Sequence, residues 1–326
     1  MSQLADPAFW AFVGVTAGIY AIFALGLQVQ FGFGGLLNFG HVASMALAAY
    51  TMAILVVKVE VSLWLASLAG IGVAVLGSLL LGLMAVRLRT DYFAIVTIAF
   101  SEIVRYVALN QQSLTGGPQG TTALAGPGQA AYYNTTWDAL LRKVRDALEP
   151  VVGEDAASHD LAMLLIVWAV AGVLLALMAH LVRTPWGRAL KAIRDDEDAA
   201  AALGKSTFVL KLQALAVGAA IAGIAGLMYA FQFSFFSPQD FEPLTTFFAY
   251  TIVLLGGTAR IWAVPVGSVV FGFLYAGTRF FDFVPFSLLT SADRAYVRLI
   301  VIGLVLIGLM YFRPQGLLGR REEMAT

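Results

Sequence analysis

A chain of 326 residues that is 60% apolar and 12% charged, with a mean hydropathy of +0.83, departs far from the about 25% charged residues of soluble domains. Such a chain belongs in a membrane, and its recurring apolar runs leave no room for a sizeable soluble domain, so residues 1–326 read as one unit. Formal net charge is zero and cysteine is absent, which removes nucleic acid as an expected partner and excludes disulfides, thiol catalysis and thiolate metal sites.

About 20 apolar residues cross the hydrocarbon core at 1.5 Å each. Nine runs approach that length: 9–28, 36–57, 63–86, 91–109, 161–181, 211–231, 244–258, 264–281 and 295–312. The opening "MSQLADPAFW" lacks the basic region of a cleavable signal, so the first run is expected to stay as a span. The second is weak because "FGFGGLLNFG" interrupts its start, and the seventh is short and ends at Gly256-Gly257. The expected fold is all-α, a polytopic membrane bundle of about nine spans with broken or re-entrant helices.

Asn38, His41 and Ser44 follow the first glycine break at spacings of three and share a face, which makes them candidates to line a cavity. A lone His41 has a plainer reading as a satisfied buried histidine. Glycine-interrupted segments in two halves of a transporter mark a substrate path, because broken helices free backbone groups for binding. Gly32 to Gly40 and Gly256 to Gly267 form such a pair, which places Gly256 and Gly257 on the same candidate path.

In the fourth run, Glu102 precedes Arg105 by about one turn, so an ion pair within the helix is available. It serves either as an anchor near the membrane surface, with Asn110, or as a contact for the charged ends of a zwitterionic substrate. The loop from Asn110 to Asp160 opens with "LTGGPQG", a turn that is either a gating or docking element or a bland surface loop. Trp137, Leu140, Leu141, Val144 and Leu148 then form a helical stripe suited to the spans or to the membrane surface.

Between the fifth and sixth runs, residues 183–210 hold "GRALKAIRDDEDAAAALG". Arg188, Lys191 and Arg194 recur every three residues on one helical face, with Leu190 and Ile193 on another. Asp195, Asp196, Glu197 and Asp198 suit the N-terminus of a second helix, and Gly204 suits its end. A helix, a capped break and a short alanine-faced helix therefore come one after another. The segment is either a solvated connector or a docking surface for another protein. Beyond it, "SPQDF" reads as a turn.

Arg87 and Arg89, six basic residues from Arg183 to Lys211, Arg260, and Arg313, Arg320 and Arg321 all fall on one side of a nine-span chain. The positive-inside rule makes that side cytoplasmic, with the N-terminus outside and the C-terminus inside. Loop 110–160 is then extracytoplasmic and segment 183–210 cytoplasmic.

"TDYFAIVTIAFSEIVRYVALNQQSLTGGPQG" and "TPWGRALKAIRDDEDAAAALG", followed by "AGIAGLMYAFQFSFFSPQDF" and "VLLGGTARIWAVPVGSVVFG", together resemble the LivM-type permeases of branched-chain amino acid ABC importers. The resemblance covers roughly residues 30 to 312, and the order of the pieces is more specific than any one of them. It implies that Gly187, Arg188, Ala192, Arg194, Glu197, Ala200 and Gly204 belong to a coupling helix seated on an ATPase. It further implies a second homologous permease chain, two ATPase subunits, an extracytoplasmic solute-binding protein and a place in the bacterial cytoplasmic membrane. The chain has no G-x-x-x-x-G-K-[ST] loop, so ATP and Mg are expected on the partner subunits, with no cofactor on this chain.

Branched-chain or other neutral amino acids are the expected substrates, with urea and short amides as the alternative that relatives of this type suggest. An ion-coupled carrier or a channel is the rival class, since broken helices and an intramembrane ion pair serve those as well. Catalysis has little support. The three histidines, His41, His159 and His180, are scattered, and neither H-E-x-x-H nor G-x-S-x-G occurs.

Overall fold

The computed structural model describes residues 7–121, 132–153, 158–233, 235–258, 260–276, 291–313 and 315–318, and every regular element among them is helical. The first half holds α1 (Pro7–Leu27), α2 (Val42–Val59), α3 (Leu63–Ala85), α4 (Thr90–Asn110), the single turn α5 (Gln112–Thr115) and α6 (Tyr132–Val152). The second holds α7 (His159–Leu181), α8 (Pro185–Asp195), α9 (Glu197–Ala202), α10 (Thr207–Phe233), α11 (Pro243–Gly256), α12 (Ala263–Ala276) and α13 (Ser291–Phe312).

Among the described residues, six helices are long and apolar enough to cross a membrane: α1 with its π-helical continuation Gln28–Phe33, α2, α3, α4, α7 and α10. Of the expected count of about nine, these six are supported among the described residues. α11 has 14 residues, or about 21 Å of helix against a hydrocarbon core of about 30 Å, and α12 is described over the 14 residues Ala263–Ala276. In α13 the apolar stretch is Leu299–Gly308. The eighth expected run, 264–281, passes beyond α12 into residues outside those described, as do Arg320 and Arg321.

α1 is the central column. It carries no charge, is buried over most of its length and packs against α7, α10, α11 and α12. Trp168 of α7 fixes one contact by donating from Nε1 to the Gly14 carbonyl at 2.9 Å. α2 and α3 pack side by side against α10. α4 lies further out, with only Phe93, Ala94, Thr97, Ser101 and Ala108 buried.

Two chain breaks set the topology. α1 runs to the end of the bundle formed by α8 and α9, where Arg194 meets its π-helical extension. The chain then turns back inward. Phe39 N donates to Thr97 Oγ1 at 3.0 Å, and His41 Nε2 bonds the Phe23 carbonyl at 3.2 Å. Thr97 lies seven residues into α4 and Phe23 ten residues before Phe33, so α2 begins about 10 to 15 Å inside and runs to the far end.

The second break is the inverse of the first. α10 runs to the far end, the short 3-10 turn Pro238–Phe241 comes next, and α11 returns to the α8–α9 end. There Gln28 Nε2 donates to the Thr258 carbonyl, and the N–H groups of Leu317 and Leu318 bond the carbonyls of Leu255 and Gly256. Inside the bundle α2 and α11 meet N-terminus to N-terminus, with Val42 N donating to Thr246 Oγ1 at 3.1 Å. The topological counterpart of Gly32–Gly40 is therefore residues 235–242 rather than Gly256–Gly267. Pro238 and the reciprocal bonds of Ser237 with Asp240 build this break without glycine.

The far end is capped. Thr121, just after "LTGGPQG", donates its N–H to the Phe236 carbonyl at 3.0 Å and accepts from Phe236 N at 3.2 Å. α6 packs on α2, α3 and α7, with Trp137 buried and stacked on Phe231 at 4.3 Å. Its apolar stripe meets protein, while Arg142, Lys143 and Arg145 point outward.

Candidate functional site

α8 and α9 form a hinged pair at one end of the bundle. Pro185 stands in the first turn of α8, where its missing N–H costs no hydrogen bond. Leu190 and Ile193 bury the apolar face, and Trp186 Nε1 donates to Gln213 Oε1 of α10 at 3.0 Å. Asp196 breaks the chain and caps α9, its side chain accepting from Ala199 N at 2.9 Å. Gly204, at φ +77°, ends α9 in the left-handed region that glycine enters without strain.

The basic face of α8 is divided among three contacts. Arg188 Nη1 bonds the Arg183 carbonyl at 2.8 Å, and Lys191 Nζ stands 5.4 Å over the Phe33 ring. Arg194 reaches furthest. Its Nη1 donates to the Gly32 carbonyl at 2.8 Å, while Nε and Nη2 hold Asp195 Oδ1 at 3.0 and 2.8 Å. Among the other expected coupling residues, Gly187 packs on the Val182 backbone and Ala200 is buried. Ala192, Glu197 and Gly204 are exposed, Glu197 with an ion pair to Lys211. Leu203 at 82% exposure, with Ala199, Ala201 and Ala202, leaves an apolar surface on α9 that nothing among the described residues covers.

Just inside this joint lies a buried polar cluster. Gln30 Nε2 donates to the Leu215 carbonyl at 3.2 Å, and Gln30 Oε1 accepts from Asn38 Nδ2 at 2.9 Å. Asn38 Oδ1 in turn accepts from Gly40 N at 3.0 Å. His41 is fully buried against Phe23; because its Nε2 faces a carbonyl it carries the hydrogen, and Nδ1 is left without a partner. Ser44 is also buried. Asn38 lies in the extended segment and His41 and Ser44 at the start of α2, so the expected common face is replaced by a common buried region.

Sequence reasoning missed Gln28, Gln30, Thr97 and Thr246, which complete the cluster and its link to α11. The visible signal for the first two was a pair of glutamines two residues apart at the end of an apolar run. Gly256 and Gly257 sit at the foot of α11, beside the Thr258 carbonyl that Gln28 holds. The Glu102–Arg105 pair forms as expected, with Nη2 to Oε2 at 2.6 Å and Nε to Oε1 at 3.1 Å. It stands on the outer flank of α4, apart from the polar cluster.

A buried column flanked by two opposed breaks, one of them bonded directly to a capped helix pair at the end of the bundle, is the framework of a multi-pass membrane permease. The family described as "Branched-chain amino acid transport system / permease component" matches residues 10–310, and the chain belongs to that family. The "High-affinity branched-chain amino acid transport system permease protein LivM" of Salmonella typhimurium is 35% identical, over 92% of this chain and 68% of that protein. A probable LivM of Methanocaldococcus jannaschii is 23% identical over 92% of this chain and 90% of its own length. The LivH permease of Salmonella typhimurium is 26% identical over 95% of both chains. No solved structure matches the chain.

Proposed function

We propose that this chain is the transmembrane subunit of an ATP-driven importer moving branched-chain or other neutral amino acids across the bacterial cytoplasmic membrane. Family membership and the transport activity named for the LivM and LivH relatives support the substrate class. The α8–α9 end faces the cytoplasm: Arg87, Arg89, Arg183, Arg188, Lys191, Arg194, Lys205, Lys211 and Arg260 belong to it, as the positive-inside rule requires. The N-terminus is then outside and the C-terminus inside. Two separate ATPase subunits bind ATP and Mg, a second homologous permease completes the path, and an extracytoplasmic solute-binding protein delivers substrate at the α6 end.

The bond from Arg194 to Gly32 carries the reading. An ATPase seated on the exposed face of α9 moves the helix pair, and Arg194 conveys that motion to the π-helical foot of α1. The neighbouring polar cluster of Asn38, His41 and Ser44, with Gln30, Thr97 and Thr246, belongs to the substrate path, and Gly256 and Gly257 border its cytoplasmic mouth. The N-termini of α2 and α11 point toward each other there, and their partial positive charges suit a substrate carboxylate.

The test is co-purification from native membranes with the intact chain and with Leu203→Asp or Ala201→Glu. Loss of the ATPase from folded variants is the expected result. Failure of the intact chain to hold any ATPase, or ion-driven leucine uptake by this chain alone in liposomes, overturns the proposal. ATP-dependent uptake of urea instead of leucine would keep the mechanism and replace the substrate.

A further inference from the structure

Glu102 is, among the described residues, the charged side chain that lies more than two turns from both ends of a spanning helix, twelve residues after Thr90 and eight before Asn110. At 1.5 Å per residue this puts it about 18 Å from one end and about 12 Å from the other. Pairing with Arg105 does not remove it from its surroundings. Glu102 remains 28% exposed and Arg105 15%, with the guanidinium 4.7 Å over the Tyr106 ring.

The surface around the pair is open as well. Ile95, Ile103 and Tyr106 of α4 are exposed, as are Glu242, Leu244 and Phe247 at the start of α11. Glu242 lies within electrostatic reach of Arg105, so two carboxylates and one guanidinium share this flank. Thr246, in the same first turn of α11, is buried and receives the N–H of Val42. The outer faces of α3 and α7 differ in kind, exposing Leu76, Leu80 and Met84 or Val173 and Leu177. Lipid covers leucine and valine well. It does not cover a carboxylate at this depth, and charged groups inside spanning segments face protein or a polar cavity.

We infer that this flank of α4, with the first turn of α11, is the surface closed by the second permease chain, so that Glu102, Arg105 and Glu242 line the seam between the two. The inference rests on the importer reading. The occupant is a homologous permease because Salmonella typhimurium has both a LivM and a LivH that match this chain over most of its length. The excess of one negative charge on the flank calls for a cation or hydrogen-bond donors at membrane depth on the facing chain, which α3-like or α7-like lipid faces lack.

Photocrosslinking in native membranes holding the whole importer tests this. p-Benzoylphenylalanine at Ile103 is expected to yield an adduct with the second permease, and the same group at Val173 or Leu80 to yield none. The chain has no native cysteine, so Ile103→Cys and Val173→Cys in the same membranes give a second measure: a lipid-soluble maleimide should label the former at least tenfold more slowly. Fast labelling and no permease adduct at Ile103, in a complex that still contains both permeases and the ATPase, overturn the inference alone. A complex lacking any second permease overturns the importer reading with it.

Discussion

Replacing Arg194 by alanine removes its bond to Gly32 and strands that acceptor, and with it goes the exposed pair to Asp195. Arg194 Nη1 meets the Gly32 carbonyl at 2.8 Å, and Gly32 is buried. In the same break the carbonyls of Gln30 and Phe31 accept from Leu36 and Gly35, whereas the bond to Gly32 comes from the arginine. A hydrogen bond from a charged donor contributes about 1.5 to 3 kcal/mol, and an unsatisfied buried acceptor costs about 1 to 3 kcal/mol. Because the Arg194 side chain is 32% exposed, water takes up part of the loss and the lower end applies, about 1.5 to 2 kcal/mol. That corresponds to roughly a 10- to 30-fold change in the coupling between helix pair and break.

The assay is ATP hydrolysed per amino acid imported by the whole transporter in proteoliposomes. For Arg194→Ala the ATPase should remain bound and basal hydrolysis unchanged, while the ATP cost of each import rises about tenfold. Arg194→Lys keeps the charge but cannot grip Gly32 and Asp195 with one planar group, and should fall between. Asp195→Ala removes a partner that is 59% exposed, a surface pair that contributes about 0 to 1 kcal/mol, and should behave as the parent. An unchanged ratio in Arg194→Ala, with the complex intact, refutes the idea that this bond transmits the stroke.

Three other changes have defined outcomes. A Cβ at Gly40 would stand 2.0 Å from the Thr97 carbonyl oxygen, so Gly40→Ala should push the break off α4 at a cost of about 1 to 3 kcal/mol, read as lower uptake and reduced monodisperse yield in detergent. Trp137→Ala empties the stack on Phe231 and should cost about 3 to 5 kcal/mol in detergent melting. Trp137→Phe should be far milder, because the indole N–H is buried without a partner. Asp196→Ala removes the cap of a six-residue helix at about 1 kcal/mol and should weaken ATPase co-purification about fivefold, with Asp196→Asn restoring it.

What the sequence disclosed was what local physics decides. The acids after Ile193 and the glycine at 204 fix a capped break wherever the segment lies, so the pair α8 and α9 was legible nearly to the residue. A three-residue spacing gave Arg188, Lys191 and Arg194 one face, yet the partners of Lys191 and Arg194, Phe33 and Gly32, lie some 160 residues away in the chain. The extension of α1 was hidden because π-helical bonding from Gln28 to Phe33 has no hydropathy period of its own, and a run ending at 28 looked complete. Glycine advertised the first break. The second was built from Pro238 and a Ser237–Asp240 capping pair, which read as an ordinary turn. Run length put 244–258 among the expected spans with its short end at Gly256-Gly257 already marking it as weak, and its 14 helical residues make about 21 Å of helix.

The opposed breaks raise the question of how a pull on one end opens or closes the other. Toward the α8–α9 end Gln28 and Gln30 are buried, and toward the far end Phe236 and Phe241 both pack on Tyr50. Of the two breaks the helix pair is bonded directly to the first, and it reaches the second along α10, which it holds through Trp186 to Gln213 and Glu197 to Lys211, so contacts between the halves are one of two routes to the far end. The bond from Val42 N to Thr246 Oγ1 joins the two inward N-termini at that point. Thr246→Val leaves a buried N–H unpaired, a cost of about 1 to 3 kcal/mol, with almost no change in side-chain size. On the proposed assembly, in which a binding protein at the far end stimulates the ATPases, this variant should keep its ATPase and its basal hydrolysis but lose that stimulation. Stimulation that survives in Thr246→Val places the connection elsewhere, on the long contact between α1 and α10.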